Sequence, residues 1–228
     1  MNRGGTLTAA AAANTTRRRV ADALFVVQVG CALVFGVSQT WHMFSSVEGL
    51  SPSWFLCWAL FLVINLRLSI QAHRVQPSRV TKQTVWAYAI WTTIIAANLA
   101  ALAWHGAGTW TRIDDATIGI AIAGIAGTLA IGRRHGLDWR DPIVRGWLAV
   151  FFKGVPQLTL AWNLAQVGAD GLAPLGVFAG HVTICTRLGQ LVFSIREAGW
   201  DRNRIGSLIS EVANEGSWIV ATAVWLWV

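Results

Sequence analysis

The reading of the fold turns on Val155-Pro156-Gln157-Leu158-Thr159 and the Asp170-Gly171-Leu172-Ala173 that follows it. An earlier stretch carries the same pattern: Val37-Ser38-Gln39-Thr40-Trp41, then Glu48-Gly49-Leu50-Ser51. Each copy passes from a Val and a Gln through polar and aromatic residues to an acid, a Gly, a Leu and a small residue. The second copy is longer by four residues between the Gln and the Gly, about one helical turn. Leu66-Arg67-Leu68 has an echo in Thr186-Arg187-Leu188, and Asn98 follows Gln39 by 59 residues much as Asn214 follows Gln157 by 57. Self-similarity over such a distance is the mark of a duplicated unit.

Around these motifs the chain is apolar. Of 228 residues 54% are hydrophobic and 13% charged, and the mean hydropathy is +0.50. A soluble domain usually carries about 25% charged residues, so a large extramembrane domain, a disordered chain and a secreted disulfide scaffold are excluded. Runs of about 20 apolar residues, the length that crosses a bilayer, are expected near 21–41, 52–72, 84–105, 114–132, 143–165, 172–194 and 205–227. The chain therefore divides into a basic tail (1–20), a first three-helix repeat (21–105), a linker helix with its loops (106–142) and a second three-helix repeat (143–228). A single linking span gives both triplets the same orientation, so the repeat is parallel. The expected fold is all-α membrane, seven transmembrane helices in a 3+1+3 order.

The charges alternate with the spans. Lys and Arg number 18 against 11 Asp and Glu, and fourteen of the cations fall in the tail and the second, fourth and sixth connections. Arg112 stands alone on the other side. The positive-inside rule then places the N-terminus in the cytoplasm, in a multi-pass plasma or inner membrane, and reads the basic excess as topology rather than nucleic-acid binding. Most Trp residues, Trp41, Trp54, Trp104 and Trp227 among them, lie near span ends, where an indole suits the headgroup region. Trp91 and Trp218 lie well inside spans three and seven.

Ser38-Gln39 and Pro156-Gln157, each followed by Gly-Leu and a span, resemble the paired motifs of the PQ-loop superfamily, which includes the SWEET sugar transporters, the cystinosin-type amino-acid exporters and the KDEL receptors. The first motif lacks the proline. The resemblance covers about residues 21–227 and implies two three-helix bundles around a central pocket, with the Gln39 and Gln157 helices bending during alternating access. In SWEET-like proteins an Asn pair from spans three and seven lines the pocket, which the resemblance carries onto Asn98 and Asn214.

Polar groups in mid-span are costly unless paired or facing a wet cavity, so each is a functional candidate. Glu211, Asn214, Glu215 and Trp218 share one helical face that must look into the bundle. A carboxylate kept from water beside a second one is poised to take up a proton, which makes Glu211 or Glu215 the expected proton-coupling group. The plainer alternative is an ion pair with Lys153 or Arg187. Asn98 and Asn214, with two donors and an acceptor each, suit a neutral polar solute, although an interhelical hydrogen bond is a common task for a membrane Asn. Trp91, on the face of Asn98, suits stacking on a ring, and Trp218, Gln39 and Gln157 complete the expected binding set. Pro156 removes a backbone hydrogen bond and is the expected hinge. Lys153 is expected to snorkel to the headgroups, Arg67 and Arg187 to anchor at the interface, and His181 to donate a buried hydrogen bond.

Nothing resembles a phosphate loop, a nucleophile motif or a metal-ligand spacing, and span seven has no lysine for a retinal Schiff base. The chain is read as neither an enzyme nor a cofactor protein. The expected function is transport of a small polar metabolite, sugar or amino acid, with protons as a candidate second partner. A ligand-binding receptor or sorting protein of the same fold is the alternative, and a homo-oligomer stays open.

Overall fold

The computed structural model describes residues 4–106 and 110–228, with side chains from residue 19 onward except that of Ala198. Among these residues there is no strand; the chain is all helix and short turns. The helices are α1 (Gly4–Met43), α2 (Pro52–Val75), α3 (Arg79–Trp104) and α4 (Arg112–Arg134), then α5, α6 (Pro174–Ala198) and α7 (Arg202–Trp227). Helix α5 is continuous but of three pieces: an α stretch Pro142–Ala149, a π segment Val150–Gly154 and a second α stretch Val155–Val167. The basic tail is not a separate unit from residue 4 on, because α1 runs through it into the first span. Arg3 lies outside the described residues.

Local chemistry explains the helix starts. Ser51 accepts a hydrogen bond from the Trp54 amide with Pro52 in the first turn, Asp141 caps the Ile143 amide ahead of Pro142, and Asp201 caps the Arg204 amide. Ser78 and Thr81 form a reciprocal capping box at α3. Each side-chain oxygen answers an amide that has no partner within its helix, and proline lacks one. Asp114, fully buried in the first turn of α4, accepts from the hydroxyls of Ser51, Ser53 and Thr111 at 2.7 Å each. That carboxylate ties the start of α4 to the start of α2.

Five helices are long and apolar enough to cross a membrane: α1 from Arg19, α2, α3, α4 and α6. α5 and α7 are not among them: the pieces of α5, of 8, 5 and 13 residues, are each too short, and α7 is not apolar enough. α5 has a π segment around Lys153, and α7 carries Glu211, Asn214 and Glu215 within its length. Large apolar side chains such as Val37, Phe178, Ile122 and Trp227 are exposed on the outside of the bundle, as a lipid-facing surface requires.

The packing repeats. α3 lies against α1 and α2, and α7 lies against α5 and α6. α1 meets α6, and α2 meets α5. Exchanging α1, α2 and α3 for α5, α6 and α7 converts each of these contacts into another of the set. α4 touches α2 and α5. The closest approach is between α5 and α7, where a Cβ on Gly206 would stand 1.9 Å from the Pro142 carbonyl oxygen and one on Gly146 2.4 Å from that of Gly206.

Candidate functional site

A cavity of about 1090 Å³ lies between these six helices; α4 contributes nothing to its lining. Its mouth, among Val20, Val80, Gln83 and Glu197, is at the end of the bundle that carries the basic connections. Its floor is aromatic. Phe35, Trp54, Trp58, Trp91 and Trp218 form one cluster, with Trp54 stacked on Trp58 at 5.6 Å and on Trp218 at 5.7 Å between ring centroids. The Phe35 ring sits edge-on to Trp58 and to Trp218 and tilted against Trp91.

Beyond the floor the bundle is shut by the two Gly-Leu turns, which interlock. The Gly171 amide donates to the Glu48 carbonyl at 2.9 Å. Gly49, at φ +75°, leaves no room for a side chain, since a Cβ there would stand 2.0 Å from the Gly168 carbonyl oxygen. The buried Gln39 amide spans the same seam, donating to the Gly171 carbonyl at 2.7 Å and accepting from the Ala173 amide at 3.1 Å. His42 Nε2 is 2.6 Å from the Asp170 carbonyl oxygen.

Counted from the helix starts, the cavity has two unlike walls. Trp54 and Trp58 of α2 stand two and six residues past Pro52; at the same places past Pro174, α6 has Gly176 and Gly180. Trp91 of α3 is twelve residues past Arg79, and the matching position of α7 is Asn214. Tyr88 matches Glu211, and Asn65 matches Arg187. Gly180 has a packing role, because a Cβ there would come within 2.8 Å of Trp218 Nε1. One wall is aromatic, the other is small, amide-bearing and charged.

The charged groups cluster where α5, α6 and α7 meet. Arg187 donates to Glu211 at 2.9 Å, and Lys153 stands over the Phe61 ring at 5.1 Å. Gln157 donates to Asn214 at 3.2 Å and accepts from the Ser217 hydroxyl. The π segment explains the place of Lys153. Pro156 supplies no amide to the turn before it, the wider π turn absorbs the missing bond, and the side chains of that turn rotate inward. Lys153 is only 6% exposed, so it does not snorkel to the headgroups. Nor is Arg187 an interface anchor; it is the partner of Glu211.

Of the residues expected at the site, Trp91, Trp218, Gln157, Asn214 and Glu211 line the cavity. Three others are placed elsewhere. Gln39 is the bolt of the closed seam. Asn98 is wholly buried between α1 and α3, where its Oδ1 accepts from Thr40 at 2.6 Å. It lies nineteen residues past the start of α3, against twelve for Asn214 in α7, about 10 Å further along at 1.5 Å per residue. The two amides therefore neither occupy equivalent places nor meet. Glu215 turns to α6, with Oε1 2.7 Å from His181 Nδ1, while His181 Nε2 is 2.9 Å from the Thr222 hydroxyl. Trp54 is 1% exposed, a floor residue rather than a headgroup anchor. Trp58, Phe35 and Phe61 carry no polar signal and were not expected at the site; only counting from the Gly-Leu turns would have placed Trp58 opposite Gly180.

Comparison of the chain with protein-family models, with curated proteins and with solved structures gives no match.

Proposed function

We propose that the protein is an integral-membrane transporter of a small polar metabolite, working by alternating access between two three-helix units, α1–α3 and α5–α7, joined by α4 in a PQ-loop-like 3+1+3 bundle. The cavity carries this reading. The six helices with interchangeable contacts line it and α4 stays outside, as expected when one polypeptide half rocks against the other. One end is sealed by the duplicated Gly-Leu turns and the other is open, which is one of the two states such a cycle needs. Charged groups held at membrane depth inside a bundle are costly and mark solute or ion pathways. The positive-inside rule puts the mouth at the cytoplasm.

Of the two carboxylates, the proton-coupling role falls to Glu215. Its partner is the His181 imidazole, whose ring nitrogens can each donate or accept, whereas Glu211 faces a guanidinium, which only donates. The test is purified protein in liposomes, loaded and challenged with a solute panel with and without a pH gradient. Accumulation of a solute supports transport; saturable binding with no accumulation replaces it with a receptor. Glu215→Gln should abolish the stimulation by a pH gradient while Glu211→Gln retains it, and the reverse result reassigns the coupling group.

A further inference from the structure

Resting on the transporter reading of the same cavity, we infer that its solute is an organic anion with a planar ring, the ring against the α2–α3 aromatic wall and the anionic group against Lys153 Nζ. The charge count at depth points there. Two cations, Lys153 and Arg187, face one carboxylate, Glu211. Arg187 is bonded to Glu211, Glu215 is held by His181, and Glu197 lies out at the mouth. Lys153 is nine-tenths buried on the cavity wall; among the described residues its ammonium has no hydrogen-bond acceptor, stands over the face of Phe61, and shares the charge of Glu211 with Arg187. A buried cation short of a counter-charge is among the least favourable groups in a protein, and a bound anion relieves it.

The aromatic side of the site is equally specific. Phe61 follows Trp58 by three residues on α2, close to one turn, so the ring under the ammonium and the Trp58 indole share one face of that helix. Trp58 and Trp91, 5.1 Å apart, extend the wall, and the cavity volume accommodates a solute of one or two rings. A neutral sugar leaves the ammonium uncompensated, and a cation is repelled by it.

The experiment uses the full chain in detergent and in liposomes with four probes: benzenesulfonate, which is permanently anionic and does not cross lipid as a neutral acid; methanesulfonate, an anion without a ring; benzyltrimethylammonium; and methyl glucoside. Calorimetric titration should give benzenesulfonate the highest affinity, by on the order of tenfold over each of the others. Lys153→Met should lower that affinity by on the order of tenfold or more, and Lys153→Arg should restore most of it. Lys153→Met should also melt no lower than the parent, since it removes the surplus cation and leaves Glu211 paired with Arg187. Tightest binding of methyl glucoside or benzyltrimethylammonium, or an unchanged benzenesulfonate affinity in Lys153→Met, overturns the anion site. Benzenesulfonate binding without uptake leaves the anion site standing and overturns transport. Uptake of methyl glucoside that benzenesulfonate does not inhibit leaves transport standing and overturns the anion site.

Discussion

The halves α1–α3 and α5–α7 share a plan of contacts and differ in almost everything that faces the cavity. Where α2 has Trp54 and Trp58, α6 has Gly176 and Gly180; where α3 has Tyr88 and Trp91, α7 has Glu211 and Asn214. Even the way each half holds together differs. α5 and α7 touch backbone to backbone at Gly146 and Gly206, while the place of Gly206 in α3 belongs to Gln83, which lines the mouth and bonds Asp22 at 2.9 Å. The frame common to both halves rests on the Gly-Leu turns and on the pattern of helix-on-helix packing. The lining is free to diverge because a side chain facing a cavity is not constrained by a neighbour's shape. The shared frame thus supplies two hands, and the unlike linings give them different grips.

The sharpest break in this comparison is Gly206→Ala against Gln83→Ala. A methyl on Gly206 meets the Pro142 carbonyl at 1.9 Å with no room to yield, so a loss of about 3 kcal/mol or more is expected. The matching Gln83 change should cost about 1 kcal/mol or less; thermal melts in one detergent decide it. Glu211→Gln comes next. It leaves Arg187 and Lys153 facing each other without a carboxylate, at a cost of about 3 kcal/mol, and adding Arg187→Gln should recover much of it. Gln39→Ala strips partners from the buried Gly171 carbonyl and Ala173 amide and should cost about 2 kcal/mol. Hydrogen exchange at residues 46–50 and 168–173 should rise in that variant and stay unchanged in Glu211→Gln.

The smallest effect lies outside the membrane. Burial raises the Asp141 carboxyl, but hydrogen bonds from Arg202 and the Ile143 amide, together with the Arg202 charge, outweigh it and hold the group below its ordinary value. A depressed carboxyl contributes stability above the unfolded value and loses it as pH falls through the folded one. Asp141→Asn, which keeps a capping oxygen, should therefore cost about 0.5 kcal/mol at neutral pH, since Arg202 is half exposed. The two melting curves should converge in acid.

Much of this architecture is legible in the order of residues. Apolar runs and caps mark the helices, and Glu48-Gly49-Leu50 with Asp170-Gly171-Leu172 mark the turns that dock. The inward face of α7 follows from the spacing of Glu211, Asn214 and Trp218. What eluded the sequence is depth and partnership. Asn98 and Asn214 are similarly spaced from their Gln residues, yet they sit two turns apart because Gln39 stands 4 residues before the end of its helix and Gln157 10, with loops of unequal length after them. Lys153 reads as a snorkelling lysine until the π turn rotates it inward. Trp54 reads as a headgroup anchor because its stacking partner, Trp218, is more than 160 residues away.

The docked turns have a kinetic consequence. Gln39, Gly171, Glu48 and the His42–Asp170 contact bridge one narrow seam, so loosening any one of them alone releases no space. Exposure of the cavity to that side must wait until all of them let go at once. In the transport cycle proposed above, the reorientation of the empty carrier would then be the slow stroke, steeply dependent on temperature and unaffected by how much solute is supplied.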